Sequence, residues 1–98
     1  MALMNVRRCL VTLDMNGTRL IATASSESEE PEIFSMFDEN CADEMVLAQK
    51  FNVWMQTLGG YEVWMRGDDH REVEFIDTHF KTNLVLGVYT LFRVLPFR

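Results

Sequence analysis

Residues 6–25, VRRCLVTLDMNGTRLIATAS, carry the clearest structural signal in the chain. Two strand-like runs, 6–15 and 18–25, flank the pair Asn16–Gly17. Asn-Gly is typical of a two-residue type I′ turn, because both loop positions of that turn need positive φ. The stretch therefore predicts a β-hairpin near the start of the chain.

The same turn predicts the register of the hairpin, with Met15 opposite Thr18 and Leu13 opposite Leu20. Side chains alternate between the two faces of a strand, so this register collects apolar residues on one face and mixed residues on the other. The predicted core face carries Cys9, Val11, Leu13, Leu20 and Ala22.

Residues 29–58 are predicted to be helical. Pro31 suits the first turn of a helix, where its missing N–H is not needed, and the acids around it favour the positive end of the helix dipole. Asn40, followed by Asp43, suggests the start of a second and longer helix, although one bent helix also fits. The helical spacing rests on Ile33, Phe34, Phe37 and Cys41, and then on Leu47, Phe51, Trp54 and Leu58, before Gly59–Gly60.

Residues 61–95 are predicted to form the remaining strands. Tyr61–Arg66 and Glu72–Phe80 are expected to pair across a loop at residues 67–71. Leu84–Leu95 is apolar on both faces, and its β-branched and aromatic residues favour a central strand over a helix. The predicted fold class is α+β: an antiparallel sheet of four to five strands in the order ββ-α(α)-βββ, with the helical segments packed on one face.

Composition limits the class of protein. The 98 residues are 48% hydrophobic, which predicts a single compact domain over residues 1–98 with its own core. No apolar run approaches the roughly 20 residues of a membrane-spanning helix, and the first residues lack the layout of a signal peptide. Cys9 and Cys41 are too few for a disulfide framework and match no zinc spacing. A reducing, cytoplasmic setting is expected, with no membrane and no cofactor.

One segment accounts for the net charge of −6. Residues 27–44, called the acidic segment from here on, contain eight acids, and no Lys or Arg lies between Arg19 and Lys50. A block of this kind repels nucleic acid and attracts basic protein surfaces. The predicted partner-binding acids are Glu27, Glu29, Glu30, Glu32, Asp38, Glu39, Asp43 and Glu44.

Trp64 is a further candidate for partner binding. It shares a predicted strand face with Glu62 and Arg66, which places it on the polar side of the sheet. Exposed tryptophan is enriched at binding hot spots. The alternative is that the C-terminal residues cover it.

A second set of residues carries ligand chemistry. Asp68 and Asp69 fall at the tip of the predicted C-terminal hairpin, and Asp77 and His79 lie two apart on one predicted strand face. Carboxylate and imidazole groups suit a divalent metal where three or more of them converge. A polar turn and a solvated strand end explain the same residues without a ligand.

The chain shows no catalytic motif: it has no nucleophile elbow and no phosphate-cradling glycine loop. We therefore expect a non-catalytic inhibitor or regulator whose acids engage the basic, nucleic-acid-binding surface of a partner protein, without binding nucleic acid itself. Many anti-CRISPR and anti-restriction inhibitors of phages and mobile elements work this way, and the comparison rests on size, charge and the missing motif. The alternatives are a homodimer or interaction module using an apolar patch on the sheet, and a small metal-dependent enzyme using Asp68, Asp69, Asp77 and His79.

Overall fold

The computed structural model of the chain describes residues 7–80, 82–85 and 88–94, with side chains described for residues 7–80. The elements are β1 (Arg7–Asn16), β2 (Arg19–Ser26), β3 (Ile33–Asn40), α1 (Glu44–Gln56), β4 (Tyr61–Gly67), α2 (His70–His79), β5 (Thr82–Val85) and β6 (Val88–Val94). Within these residues the six strands form one sheet in the order β3-β2-β1-β4-β6-β5. The α+β class is confirmed, with more strands than the four to five expected.

The sheet is mixed, so the expectation of a purely antiparallel sheet is wrong. β1 and β4 run parallel, with Cys9 alongside Val63, and the other neighbouring pairs are antiparallel. Parallel neighbours need a long crossover connection, and α1 lies on the path of the chain between β3 and β4. The crossover returns β4 to the side of β1 that β2 leaves free.

The predicted β1–β2 hairpin is confirmed, but its register differs by two residues. Asn16 pairs with Arg19 and Leu13 with Ala22, so the loop residues are Gly17 and Thr18. A shift of two residues keeps every side chain on its predicted face. The predicted core residues Cys9, Val11, Leu13, Leu20 and Ala22 are all buried.

Gly17 has a backbone φ of 62°, in the left-handed region that favours glycine. We expect Gly17→Val to lower the free energy of unfolding by about 1 kcal/mol or more, because a β-branched residue resists positive φ. A Cβ added at Gly17 would contact no neighbouring atom, so the expected loss of stability comes from backbone strain alone. Urea denaturation measures it, with Gly17→Asn as the control that tolerates this φ better; equal midpoints for Gly17→Val and the unmodified chain would contradict the turn.

The predicted first helix is wrong, because residues 33–40 form β3. Helical spacing and strand alternation both fit these residues, and pairing with β2 selects the strand, with Ala22 opposite Phe37. Phe37 is buried while Met36 and Asp38, on either side of it, are exposed. The later helix is confirmed as α1, although Asp43 rather than Asn40 caps it: its Oδ1 accepts from the backbone N of Met45 at 3.0 Å.

The predicted strand at Glu72–Phe80 is also wrong, because residues 70–79 form α2. Glu72 Oε1 accepts a hydrogen bond from the backbone N of Asp69 at 2.9 Å, which is half of a capping box and favours the start of a helix. In the sheet, Met65 of β4 pairs with Val11 and Tyr89, and no residue of 72–80 is its neighbour. The run 84–95 is strand as predicted, but β5 and β6 share it, and residues 86–87 and 95 lie outside the described residues.

Both described helices lie on the same face of the sheet. The Phe51 ring of α1 contacts Phe37 of β3 at 5.5 Å and Phe75 of α2 at 6.2 Å between centroids. The opposite face, called the open face from here on, is covered by no described helix. On β1, β2 and β4 this face carries the half-buried side chains of Leu10, Thr12, Ile21, Thr23 and Trp64, beside exposed residues such as Asp14 and Arg66.

Candidate partner-binding surface

The acidic segment does not form the helical surface that its sequence suggested. Its first four acids lie in the connection between β2 and β3, residues 27–32, called the acidic loop from here on. Asp38 and Glu39 lie on β3, and Asp43 and Glu44 lie at the start of α1. The eight carboxylates are therefore distributed over three elements, and each group has different neighbours.

Asp38 is paired within the chain. Its two carboxylate oxygens accept from Arg19, with Nε to Oδ1 at 2.9 Å and a terminal guanidinium N to Oδ2 at 2.6 Å. This fork-shaped hydrogen bonding lowers the pKa of Asp38 and raises that of Arg19. The pair ties β2 to β3 across the open face, so the charge of Asp38 is already balanced.

The remaining acids of β3 and α1 also have structural partners. Glu39 lies 3.9 Å from the Lys50 ammonium. Glu44 lies 3.0 Å from His79 Nε2 and 3.9 Å from the Arg71 guanidinium, which links the start of α1 to α2. Asp43 caps α1, as described above. These four acids, counting Asp38, have local roles that explain them without a partner protein.

The acidic loop differs because most of its carboxylates form no ion pair with the described residues. Glu27 approaches Arg8 at 3.9 Å, but Glu29, Glu30 and Glu32 have no cationic partner within the described part of the chain. The loop backbone is nevertheless held: Ser28 Oγ donates to the Glu30 carbonyl at 2.8 Å, and the backbone N of Ser26 donates to the Glu32 carbonyl at 3.1 Å. Three exposed carboxylates are thus displayed on a fixed turn of chain.

A groove of about 420 Å³ lies beside the acidic loop. It is here called the Trp64 groove, and residues of β1, β2, the acidic loop and β4 line it. Most of the groove surface is apolar and comes from residues such as Leu10, Pro31 and Trp64. Its polar lining residues are Arg8, Ser25, Ser26, Glu27 and Ser28. Apolar grooves with a few placed polar groups are typical binding sites.

Trp64 lies on the open face, as predicted, and Val63 and Met65 beside it are buried in the core. Its indole Nε1 donates to Glu62 Oε1 at 2.5 Å. The Arg8 guanidinium lies 5.1 Å from the centre of its ring, within the range of a cation–π contact, and 3.3 Å from the Glu62 carboxylate. These contacts fix the orientation of the indole and leave it half-buried.

The structure therefore joins two predicted features that lie far apart in sequence. Glu27 and Trp64 both line the Trp64 groove, and Arg8 contacts both. Sequence reasoning missed Arg8 and Leu10, although strand alternation already placed both on the face opposite Cys9. The missing information was the parallel pairing that sets Leu10 beside Trp64.

Cys9 also borders the groove but is not a reactive nucleophile. It is buried, and burial raises the pKa of its thiol to about 11. A thiol with a pKa this high is almost fully protonated at neutral pH, whereas the thiolate is the reactive form. The Cys9 side chain contributes to packing in the hydrophobic core.

The four residues of the metal-enzyme alternative do not converge. Asp68 pairs with Arg66 at 3.0 Å, and Asp69 caps the start of α2, while Asp77 and His79 lie near its other end. Eight residues of helix span about 12 Å, which is too far for one ion. Among the described residues, no three His, Cys, Asp or Glu side chains are grouped to hold a metal.

No family model, curated protein or solved structure matches this chain. No helix in the described residues is both long enough and apolar enough to cross a membrane.

Proposed function

We propose that the protein is a non-catalytic inhibitor or regulator that binds a basic surface of a partner protein through the acidic loop and the Trp64 groove. One observation carries the proposal: Glu29, Glu30 and Glu32 are exposed without a cationic partner in the described chain, next to a mostly apolar groove. The four acids outside the loop have partners within the fold. The proposed contact with a partner protein is therefore limited to the acidic loop. The fold class alone supports no function.

The two parts of this surface have different roles in binding. Carboxylates on the loop attract a basic surface over distances of about a Debye length, roughly 8 Å at physiological ionic strength, and raise the rate of encounter. The Trp64 groove then provides desolvated contact, where a tryptophan is a common anchor. The aliphatic stem of a partner lysine or arginine fits such a groove, with its charged end toward Glu27.

The partner surface is proposed to be one that otherwise binds nucleic acid. Basic grooves on proteins commonly hold phosphate backbones, and closely spaced carboxylates on a fixed loop can occupy phosphate positions. An anti-CRISPR or anti-restriction type of inhibition is the most concrete form of this function. The protein itself is expected to repel nucleic acid because of its charge of −6.

The test reverses the loop charges. The partner is isolated from a lysate of the native host with the unmodified chain as bait, and its affinity for purified variants is measured by calorimetry. We expect Glu29→Lys, Glu30→Lys and Glu32→Lys together to weaken binding about tenfold or more, and added salt to weaken binding of the unmodified chain.

The control for net charge reverses three exposed acids elsewhere, Asp14, Asp68 and Glu74. Because Asp68 and Glu74 pair with Arg66 and His70, the unfolding midpoint of this variant is measured beside its affinity. An equal loss in this control would mean that net charge alone governs binding, and would overturn the loop as the site. If the loop variant binds the partner fully and Trp64→Ala does not, the contact lies on the open face and does not involve the loop acids.

Homodimerisation through an apolar patch on the sheet is a second candidate. The specific observation in its favour is that Ile33 and Met36 of β3 are 59% and 60% exposed. Sedimentation of the purified chain over a range of concentrations tests it, and a concentration-independent monomer would exclude it.

A further inference from the structure

β3 forms one edge of the sheet, and its outer side pairs with no described strand. The backbone N of Cys41 donates to the Thr18 carbonyl at 3.0 Å, so residue 41 faces β2. Backbone groups alternate in direction along a strand, so residues 39, 37 and 35 face β2 as well. Met36 and Asp38 therefore direct their N–H and C=O groups away from the sheet.

The side chains of β3 make this edge unusual. Ile33, Phe34 and Met36 are 59%, 43% and 60% exposed, and Phe34 remains so although its ring stacks on Tyr61 at 5.2 Å. Natural edge strands are usually protected by lysines, prolines, bulges or short length. Here the register shift lies at the start of the strand, opposite Ala24 and Ser25, and the pairing of residues 35–40 is regular. The eight-residue β3 contains no lysine and no proline.

We propose that the outer edge of β3 binds an extended segment of a partner protein as an additional β-strand, and that this segment alternates Lys or Arg with aliphatic residues. The inference deepens the proposed function and rests on it for the charge of the partner. Main-chain hydrogen bonds to Met36 and Asp38 supply affinity in this mode of recognition, and alternate side chains supply specificity. Aliphatic side chains of the added strand would cover Met36 and Ile33.

Charge selects a basic segment over a second copy of this chain. Acids flank β3 on both sides, with the acidic loop before it and Asp43 and Glu44 after it. An antiparallel pair of two β3 strands sets the start of each against the end of the other, so acids would meet acids at both ends of the interface. Like charges placed opposite one another across strands are destabilising. A basic strand meets attraction at the same positions.

The probe is a synthetic peptide of alternating lysine and valine, as long as the eight-residue β3. We expect it to bind the unmodified chain and to slow hydrogen exchange at the amides of Met36 and Asp38, while Phe37, which already faces β2, changes little. N-methylation of one of the two alternate sets of peptide amides should abolish binding, and methylation of the other set should not. Equal effects of the two sets, or unchanged exchange at Met36 and Asp38, would overturn the edge as the site.

A variant gives an independent measurement. Met36→Pro removes an N–H that the sheet does not use, and proline is tolerated on edge strands with the N–H side facing solvent. We expect it to weaken peptide binding about tenfold or more at an unchanged unfolding midpoint. If this variant does not fold, the exchange and N-methylation measurements on the unmodified chain decide the question.

The outcomes separate this inference from the proposed function. Peptide binding that survives Met36→Pro but is lost on reversal of Glu29, Glu30 and Glu32 would overturn the edge and keep the loop. If the peptide still slows hydrogen exchange at Met36 and Asp38 after the three loop acids are reversed, the edge of β3 is supported as the binding site. The same result would count against the acidic loop as the site of the proposed function. A dimer that Met36→Pro converts to a monomer would mean that a second copy occupies the edge, and would overturn the basic partner.

Discussion

Phe51→Ala is expected to lower the free energy of unfolding by about 3–5 kcal/mol, a large part of the total for a small domain. Phe51 is 0% exposed. Its ring contacts Phe37 of β3 and Phe75 of α2, with Trp54 stacked beside it and Phe80 edge-on. Truncation removes a side chain of α1 that contacts both α2 and the sheet, and the cavity left behind adds to the loss.

Urea denaturation monitored by circular dichroism measures this effect. Val53→Ala is the matched control, because Val53 lies on the same helix and is 64% exposed. We expect the control to change stability by about 0.5 kcal/mol or less. Similar midpoints for the two variants would show that α1 does not pack on the sheet through Phe51.

The sequence was sufficient for those elements whose signal is local. Leu47, Phe51 and Trp54 of the predicted stripe lie on the face that α1 packs against the core, because a long helix repeats its apolar spacing several times. Leu58, the last residue of that stripe, is buried but follows the end of α1 at Gln56. The two faces of the hairpin were predicted correctly although the loop residues were not. The predicted register was wrong by two residues, and an even shift leaves every side chain on the same face. The pair Asn16–Gly17 predicted where the turn lies, but not which two residues form the loop outside the strand pairing.

Elements whose state depends on distant partners could not be predicted in this way. β3 has too few residues to distinguish helical from strand spacing, and its pairing with β2 decides between them. α2 alternates polar and apolar residues from Glu72 to Phe75 as a strand does, and the capping contact between Asp69 and Glu72 selects the helix. The parallel neighbours β1 and β4 are more than forty residues apart in the chain.

The same limit applies to the candidate site. The acidic segment and Trp64 were both identifiable from sequence, but their meeting at one groove required the β1–β4 pairing and the contacts of Arg8. Conversely, five of the eight acids predicted to bind a partner prove to have partners in the fold. The sequence shows the carboxylates of a charge run but not their partners in the fold. Only Glu29, Glu30 and Glu32 remain once the described ion pairs and the Asp43 helix cap are assigned.

The ion pairs of the acidic segment limit which of its acids can be changed in a binding experiment. Reversing Asp38 would set a lysine against Arg19, and reversing Glu39 would set one against Lys50. Such variants would lose attractions that hold β3 to β2 and to α1, so weaker binding would not identify an interface. Reversals confined to Glu29, Glu30 and Glu32 leave every described ion pair intact, which is why the binding test uses those three positions alone.

Glu72 is the residue whose role differs most between sequence and structure. A strand at residues 72–80 would expose it, but it is only 2% exposed at the start of α2. Its Oε2 accepts from the backbone N of Met15 at 3.2 Å and its Oε1 from that of Asp69 at 2.9 Å. Gly67 allows this approach, because a Cβ added there would lie 2.4 Å from the Cβ of Glu72. One carboxylate thus joins the end of β1 to the start of α2.

We expect Glu72→Leu to lower the free energy of unfolding by about 3 kcal/mol, because it leaves two backbone N–H groups without acceptors, one of them buried. Glu72→Gln retains one carbonyl oxygen and should lose about half as much. Glu74→Leu is the control on the same helix: its side chain is exposed, and the change should stay within about 0.5 kcal/mol. Equal losses for Glu72→Leu and Glu74→Leu in urea denaturation would mean that the buried carboxylate does not hold α2 to the sheet, and α2 would then be attached through Phe75 and Ile76 alone.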